Sequence, residues 1–190
     1  IESGAAILIE KNTGKVLFEK NSNKIMYPAS TTKVMTAILV LENCKLDEIV
    51  TVSENAVMSV PSGYVNANLQ VGEEISVEDL MYALMVPSAN DAACVLAEHV
   101  AGSVQAFSNM MNQKALDLGC TNTHFVNPNG IHDDAHYSTA YDMAIIATEA
   151  YKNEWIREIV SDKYKNTSVD LSGTPIIIET RNKILNQNGN

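Results

Sequence analysis

Between positions 29 and 43 the apolar residues Val34, Ala37, Ile38 and Leu41 recur at the i, i+3, i+4, i+7 spacing of one helical face. The same period returns in Val77, Leu80, Met81, Leu84 and Met85, then in Ala92, Val95, Leu96, His99 and Val100. It appears again in Phe107, Met110, Met111 and Leu118, and in Met143, Ile146, Ala147 and Ala150, with a short amphipathic helix expected from Trp155 to Val160. The punctuation agrees with these boundaries. Pro87 must end the second helix because it has no amide hydrogen to donate, Ser103 opens the fourth and Gly119 closes it. Ser76 with Asp79, and Thr139 with Asp142, read as capping boxes.

The period changes at both ends of this helical region. Residues 4–20 alternate as a β-hairpin, with arms Ala5-Ala6-Ile7-Leu8-Ile9-Glu10 and Lys15-Val16-Leu17-Phe18-Glu19 around the turn Lys11-Asn12-Thr13-Gly14. The first arm is almost unbroken in apolar residues, which predicts a strand covered on both faces. Residues 48–71 have little regularity and predict an excursion over the surface, with a short strand at Ile49-Val50-Thr51-Val52 and turns at Pro61-Ser62-Gly63 and Val71-Gly72-Glu73. Residues 121–141 are rich in turns, and 164–170 and 174–180 read as extended segments around Ser172-Gly173. The polar end, residues 186–190, is expected to be a loop cut open. No internal repeat is visible. The expected organisation is one incomplete domain over residues 1–190, with a sheet hairpin at 4–20, a mainly helical lobe at 29–160 and the start of a return to the sheet at 161–190.

Composition narrows the function classes. With 190 residues and 46% hydrophobic side chains the chain can bury a core, and its net charge of -10 argues against nucleic acid, which would need a basic stripe. No apolar run reaches the length of a membrane span, and Ile1-Glu2-Ser3-Gly4 has no signal-peptide character. Cys44, Cys94 and Cys120 are odd in number and lack C-x-x-C spacing, so free thiols on the core side are expected, with no disulfide framework or zinc site. The methionines read as core filler. His132 and His136 invite a metal reading but lie among turns without H-E-x-x-H, so loop-ordering hydrogen bonds are expected of them, and His99 is expected to be a satisfied core histidine.

The candidate chemistry is in Pro28-Ala29-Ser30-Thr31-Thr32-Lys33, a serine three places before a lysine where a buried helix begins. Residues three apart share a helical face, so hydroxyl and amine project together. The positive end of the helix dipole and the adjoining apolar stripe both disfavour a charged Lys33, which predicts a lowered pKa and an amine able to take the hydroxyl's proton. Ser-x-x-Lys arises by chance about once in a chain this long, and an N-cap serine beside a surface lysine would look the same. A second pair separates the readings. Ser88 and Asn90 stand in a corner between two apolar helices, where a hydroxyl can relay a proton to a leaving amine and an amide can orient a peptide carbonyl. No G-x-S-x-G elbow or phosphate-binding glycine loop occurs.

With both pairs in place, the chain resembles the serine D-alanyl-D-alanine carboxypeptidases, the low-molecular-mass penicillin-binding proteins. The segments that carry the resemblance are 28–37, Met85-Val86-Pro87-Ser88-Ala89-Asn90-Asp91-Ala92-Ala93, Asn127-Pro128-Asn129-Gly130 and His136-Tyr137-Ser138-Thr139-Ala140-Tyr141-Asp142, in the family's order. It implies an α/β (α+β) fold of the penicillin-binding protein/β-lactamase type, a helical lobe packed on an antiparallel sheet, here with the C-terminal strands missing. It implies Ser30 as acylating nucleophile, Lys33 as its base, Ser88 and Asn90 as proton relay and substrate-orienting group, and the Ser30 amide as an oxyanion donor. The implied partners are a peptidoglycan stem peptide ending in D-Ala-D-Ala and β-lactams that imitate it. No cofactor or metal is implied. The expected location is extracytoplasmic, with membrane association only through a segment outside this sequence.

One feature of the family does not occur. The Lys-Thr-Gly motif of its cleft strand is absent, and its expected place lies beyond Asn190, so the piece alone is expected to be impaired. A class A β-lactamase shares Ser-x-x-Lys, but its second motif normally has aspartate where Ala89 stands, and no Glu-x-x-Leu-Asn deacylation segment is evident. A non-catalytic module that binds cell-wall peptide is the remaining alternative.

Overall fold

The computed structural model describes residues 2–161 and the backbone of two further strands at 164–169 and 175–179. Its centre is α1, Lys33–Asn43, entered through a 3-10 turn at Ala29–Thr32. The single apolar stripe read for this helix understates its burial. Met35, Thr36, Ala37, Ile38, Leu39 and Val40 are all buried, while Val34 and Leu41 are only partly so. A helix apolar on nearly all sides belongs inside a bundle, and α1 packs against α3 (Val77–Met85), α4 (Asn90–Ala101), α5 (Val104–Asp117) and α6 (Ala140–Ala150).

The caps follow the residues that predicted them. Ser76, Ser103 and Thr139 accept from the amides of Asp79, Ala106 and Asp142 at 3.1, 3.1 and 3.0 Å. The second half of the box at Thr139 is used elsewhere: the buried Asp142 carboxylate accepts from Asn122 N at 2.9 Å and Thr123 Oγ1 at 2.7 Å. It thereby ties α6 to the turn-rich segment that precedes it.

Strands β1, Ala6–Ile9, and β2, Val16–Lys20, form the expected antiparallel hairpin, and α6 lies against β1. The expectation that the first arm is covered on both faces is corrected. Leu8 is 56% exposed, and Leu17 and Phe18 of β2 are 56% and 43% exposed, because α6 packs against β1, where Ile7 and Ile9 are half-buried, and leaves β2 exposed from Val16 to Glu19. The supposed surface excursion also has more order than its pattern suggests. Ile49–Thr51 (β3) pairs antiparallel with Glu74–Ser76 (β4), and Glu54–Met58 forms α2 under a Ser53 cap. Three-residue strands are too short to show a period of two, which is why β4 was not legible. Beyond α7, Glu154–Ile159, strands β5 (Tyr164–Val169) and β6 (Pro175–Glu179) pair antiparallel with each other. The loop expected at 186–190 lies outside the described residues.

The three cysteines are free, with Cys94 and Cys120 buried and Cys44 half-buried. His99 is not a core histidine. It sits in the last turn of α4 at the surface, where its Nε2 lies 3.0 Å from Glu48 Oε2.

Candidate active site

Lys33 is the first residue of α1 and is only 2% exposed. Its Nζ donates to Asn129 O at 2.7 Å, to Asn90 Oδ1 at 2.9 Å and towards Ser30 Oγ at 3.3 Å. Burial depresses its pKa from the ordinary lysine value to about 8, against a smaller opposing influence of Cys94. The dominant cause is therefore loss of water around the ammonium. Two of the three partners can only accept: a main-chain carbonyl, and an amide oxygen whose own Nδ2 is committed to Val65 O at 2.8 Å. A neutral amine satisfies both with its two N–H groups and turns its lone pair to the third partner, the Ser30 hydroxyl.

Of the sequence-predicted residues, Ser30, Ser88 and Asn90 line one cleft of about 210 Å³, together with Ala29, Tyr64 and Asn129 among others. The buried Lys33 reaches Ser30 and Asn90 through its hydrogen bonds without lining it. Ser30 is exposed to the cleft, Ser88 is half-buried on the wall and Asn90 is 5% exposed at the start of α4. Ser30, Lys33 and Asn90 are joined directly by hydrogen bonds. The chain reaches this arrangement through strained backbone. Ala29 and Ser88 have φ of +49° and +70°, a region that side chains with a Cβ avoid, and they adjoin or supply the two serines.

Two structural supports carried no role in the sequence reading. One is the turn Asn127-Pro128-Asn129-Gly130. Thr36 Oγ1 donates to Pro128 O at 2.6 Å, one helical turn from the Lys33 bond to Asn129 O, so α1 grips the turn at two successive carbonyls. Gly130, at φ +81°, lies against the Ala29 carbonyl so closely that an added Cβ would fall 1.9 Å from that oxygen. The Asn-Pro-Asn-Gly spelling signals a turn, but not what the turn touches.

The other support is Asp91, buried at 2% exposure. Its carboxylate accepts from the amides of Ala67 and Leu69 at 2.9 and 3.2 Å, which holds the segment whose Val65 carbonyl orients Asn90. Asp91→Ala leaves those amides without a partner. The expected result is a loss of about 2–3 kcal/mol in denaturant unfolding.

His136 is buried, and it accepts from Val126 N on Nδ1 at 3.1 Å, so its Nε2–H donates to Thr32 Oγ1 at 2.8 Å. Desolvation lowers its pKa to about 4, consistent with this neutral tautomer. His132 is exposed, stacked edge-on to Tyr27 and 3.6 Å from Asp134. The two histidines thus order the loop separately.

The family model for D-alanyl-D-alanine carboxypeptidase, Peptidase_S11, matches residues 1–190. The chain belongs to the D-alanyl-D-alanine carboxypeptidase family. It is 43% identical over 160 residues, 82% of its length, to D-alanyl-D-alanine carboxypeptidase DacF of Bacillus subtilis. It is 38% identical over 168 residues, again 82% of its length, to the D-alanyl-D-alanine carboxypeptidase of Streptomyces sp. K15. The chain spans 40% and 56% of those relatives' own lengths. An S216A mutant of the Streptomyces K15 DD-transpeptidase superposes on all of the chain with a TM-score of 0.90 at 33% identity, the match covering 78% of that structure. The mixed helix and sheet fold is therefore that of the DD-peptidases, as the motifs implied.

Proposed function

We propose that the protein is a serine-type D-Ala-D-Ala carboxypeptidase that trims peptidoglycan stem peptides through an acyl-enzyme on Ser30. The observation that carries the reading is the buried Lys33 amine, tied to two obligate acceptors and directed at the Ser30 hydroxyl. Lys33 takes the hydroxyl proton as Ser30 Oγ bonds to the carbonyl carbon between the two terminal D-alanines. The Ser30 amide would stabilise the oxyanion. As the C–N bond breaks, a proton passes to the leaving nitrogen through Ser88, and D-alanine departs. Water then cleaves the ester and the proton balance is restored. Asn90 has two amide hydrogens, one of them on Val65 O, and the other suits the substrate's peptide carbonyl.

β-Lactams present a strained amide in the place of that terminal bond, so they would acylate the same oxygen. Stem peptides are exposed outside the cytoplasmic membrane, and the reading carries that location with it. No described helix is long and apolar enough to cross a membrane.

The test is mass spectrometry of the full-length protein after incubation with a penicillin, across a pH series. A Ser30 adduct is expected in the parent and none in Ser30→Ala. The acylation rate should rise about tenfold per pH unit below about 8 and level off above it, as Lys33 loses its proton. An adduct on another residue would overturn the role of Ser30, and equal reversible penicillin binding by parent and Ser30→Ala without covalent capture would favour the binding-module alternative.

A further inference from the structure

At the end of the molecule away from the cleft, Cys44, Glu48 and His99 converge. The cysteine sulfur, one carboxylate oxygen and an imidazole nitrogen all lie within 4.8 Å of one another. The three come from separate places: Cys44 is the C-cap of α1, Glu48 precedes β3, and His99 is in the last turn of α4. Cys44 and Glu48 are half-buried and His99 faces solvent, so the cluster has a fixed inner side and an open outer one.

We propose that this cluster is a zinc site, with Cys44, Glu48 and His99 as protein ligands and water in the fourth position. Sulfur, nitrogen and carboxylate oxygen are the donor types that zinc takes in tetrahedral sites. Tetrahedral ligands at ordinary zinc bond lengths stand about 3.3–3.6 Å apart. His99 Nε2 and Glu48 Oε2 are already 3.0 Å apart, so they need only open slightly, and the Cys44 sulfur, within the 4.8 Å of the cluster, has to draw closer. Glu48 is held for the purpose by its other oxygen, which accepts from Lys45 N at 2.8 Å. The charges also close. A thiolate, a carboxylate and a neutral imidazole cancel the two positive charges of the ion, with the Cys44 thiol proton released to solvent. Both α1 and α4 end at the cluster, and the negative ends of two helices favour a cation there.

The position gives the site a consequence for the cleft. The helices that it would clip together are the two that begin with Lys33 and Asn90. A metal at their far ends would restrain how α1 and α4 slide against each other, and so the spacing of that pair.

Cobalt titration of the reduced, metal-free, full-length protein tests the proposal. The expected result is a thiolate-to-cobalt charge-transfer band in the near ultraviolet that saturates at one equivalent and is displaced by one equivalent of zinc. Cys44→Ser should abolish the band. His99→Gln and Glu48→Gln, each outside the cleft, should weaken cobalt binding at least tenfold, and the rise in Tm that zinc is expected to give the parent should vanish in His99→Gln. Absence of the band at saturating cobalt overturns the proposal. So does a band that survives Cys44→Ser, which would come from Cys94 or Cys120, or parental affinity in both glutamine variants.

Discussion

Lys33→Ala is expected to slow acylation of Ser30 by a β-lactam about a thousandfold, with circular dichroism unchanged. The Ser30 hydroxyl is exposed to the cleft and 3.3 Å from the amine, and Lys33 is the basic side chain hydrogen-bonded to it. Loss of a positioned general base costs about 10²–10⁴ in rate. Stopped-flow acylation with a chromogenic cephalosporin reads the effect. A rate within a few-fold of the parent would assign the proton to another group and remove the foundation of the functional proposal.

The same variant has a signature in stability. Lys33 titrates near 8 when folded, below its value of 10.5 in an exposed chain. Between those values the unfolded state binds the proton that the folded state has released, so parental stability rises with pH through that window. Below about pH 8 both states hold the proton and the desolvation cost is fully present. Lys33→Ala should flatten this rise in denaturant melts from pH 8 to 10.5, independently of any effect on catalysis.

Gly130→Ala is expected to have the second largest effect, a loss of about 2–4 kcal/mol in stability with at least a hundredfold slower acylation. Two costs combine. At φ +81° an alanine is strained, and its Cβ would stand 1.9 Å from Ala29 O and 3.0 Å from Thr32 Oγ1. Those contacts are main chain and a buried side chain, so relief requires the turn to retreat from α1, taking the Asn129 carbonyl away from Lys33. Gly119→Ala is the control. Gly119 also has positive φ, +80°, but its Cβ would meet open space, so only the backbone part of the cost, about 1 kcal/mol, should remain. Equal destabilisation and equal kinetics in the two variants would show that the approach to Ala29 is unimportant.

Much of the site was legible because its chemistry is written locally. Ser30 and Lys33 share a turn whatever the rest of the fold does, and Ser88-Ala89-Asn90 is bounded by Pro87 on one side and an apolar helix on the other. The 3-10 geometry at Ala29–Thr32 was not foreseen, but three residues of separation bring hydroxyl and amine together in either kind of helix. What was missed depends on partners distant in the chain. Asn129 reaches Lys33 across 96 positions through a carbonyl, a group that every residue carries and no residue type advertises. His99 was misplaced because its neighbours on α4 are apolar, yet the bundle leaves the last turn of that helix at the surface beside Glu48.

The sequence by itself determined the helices other than α2, the caps at Ser76, Ser103 and Thr139, the hairpin at the start and the Ser-x-x-Lys and Ser-x-Asn pairs, since each depends on side chains within a few positions. Tertiary structure alone decided that α1 is surrounded rather than one-sided, that the hairpin is packed against α6 through β1, and that the 127–130 turn supports the lysine. It also brought Cys44, Glu48 and His99 to one place. The physical reason is the same throughout: periodicity records which side chains avoid water, whereas long-range packing decides which groups meet.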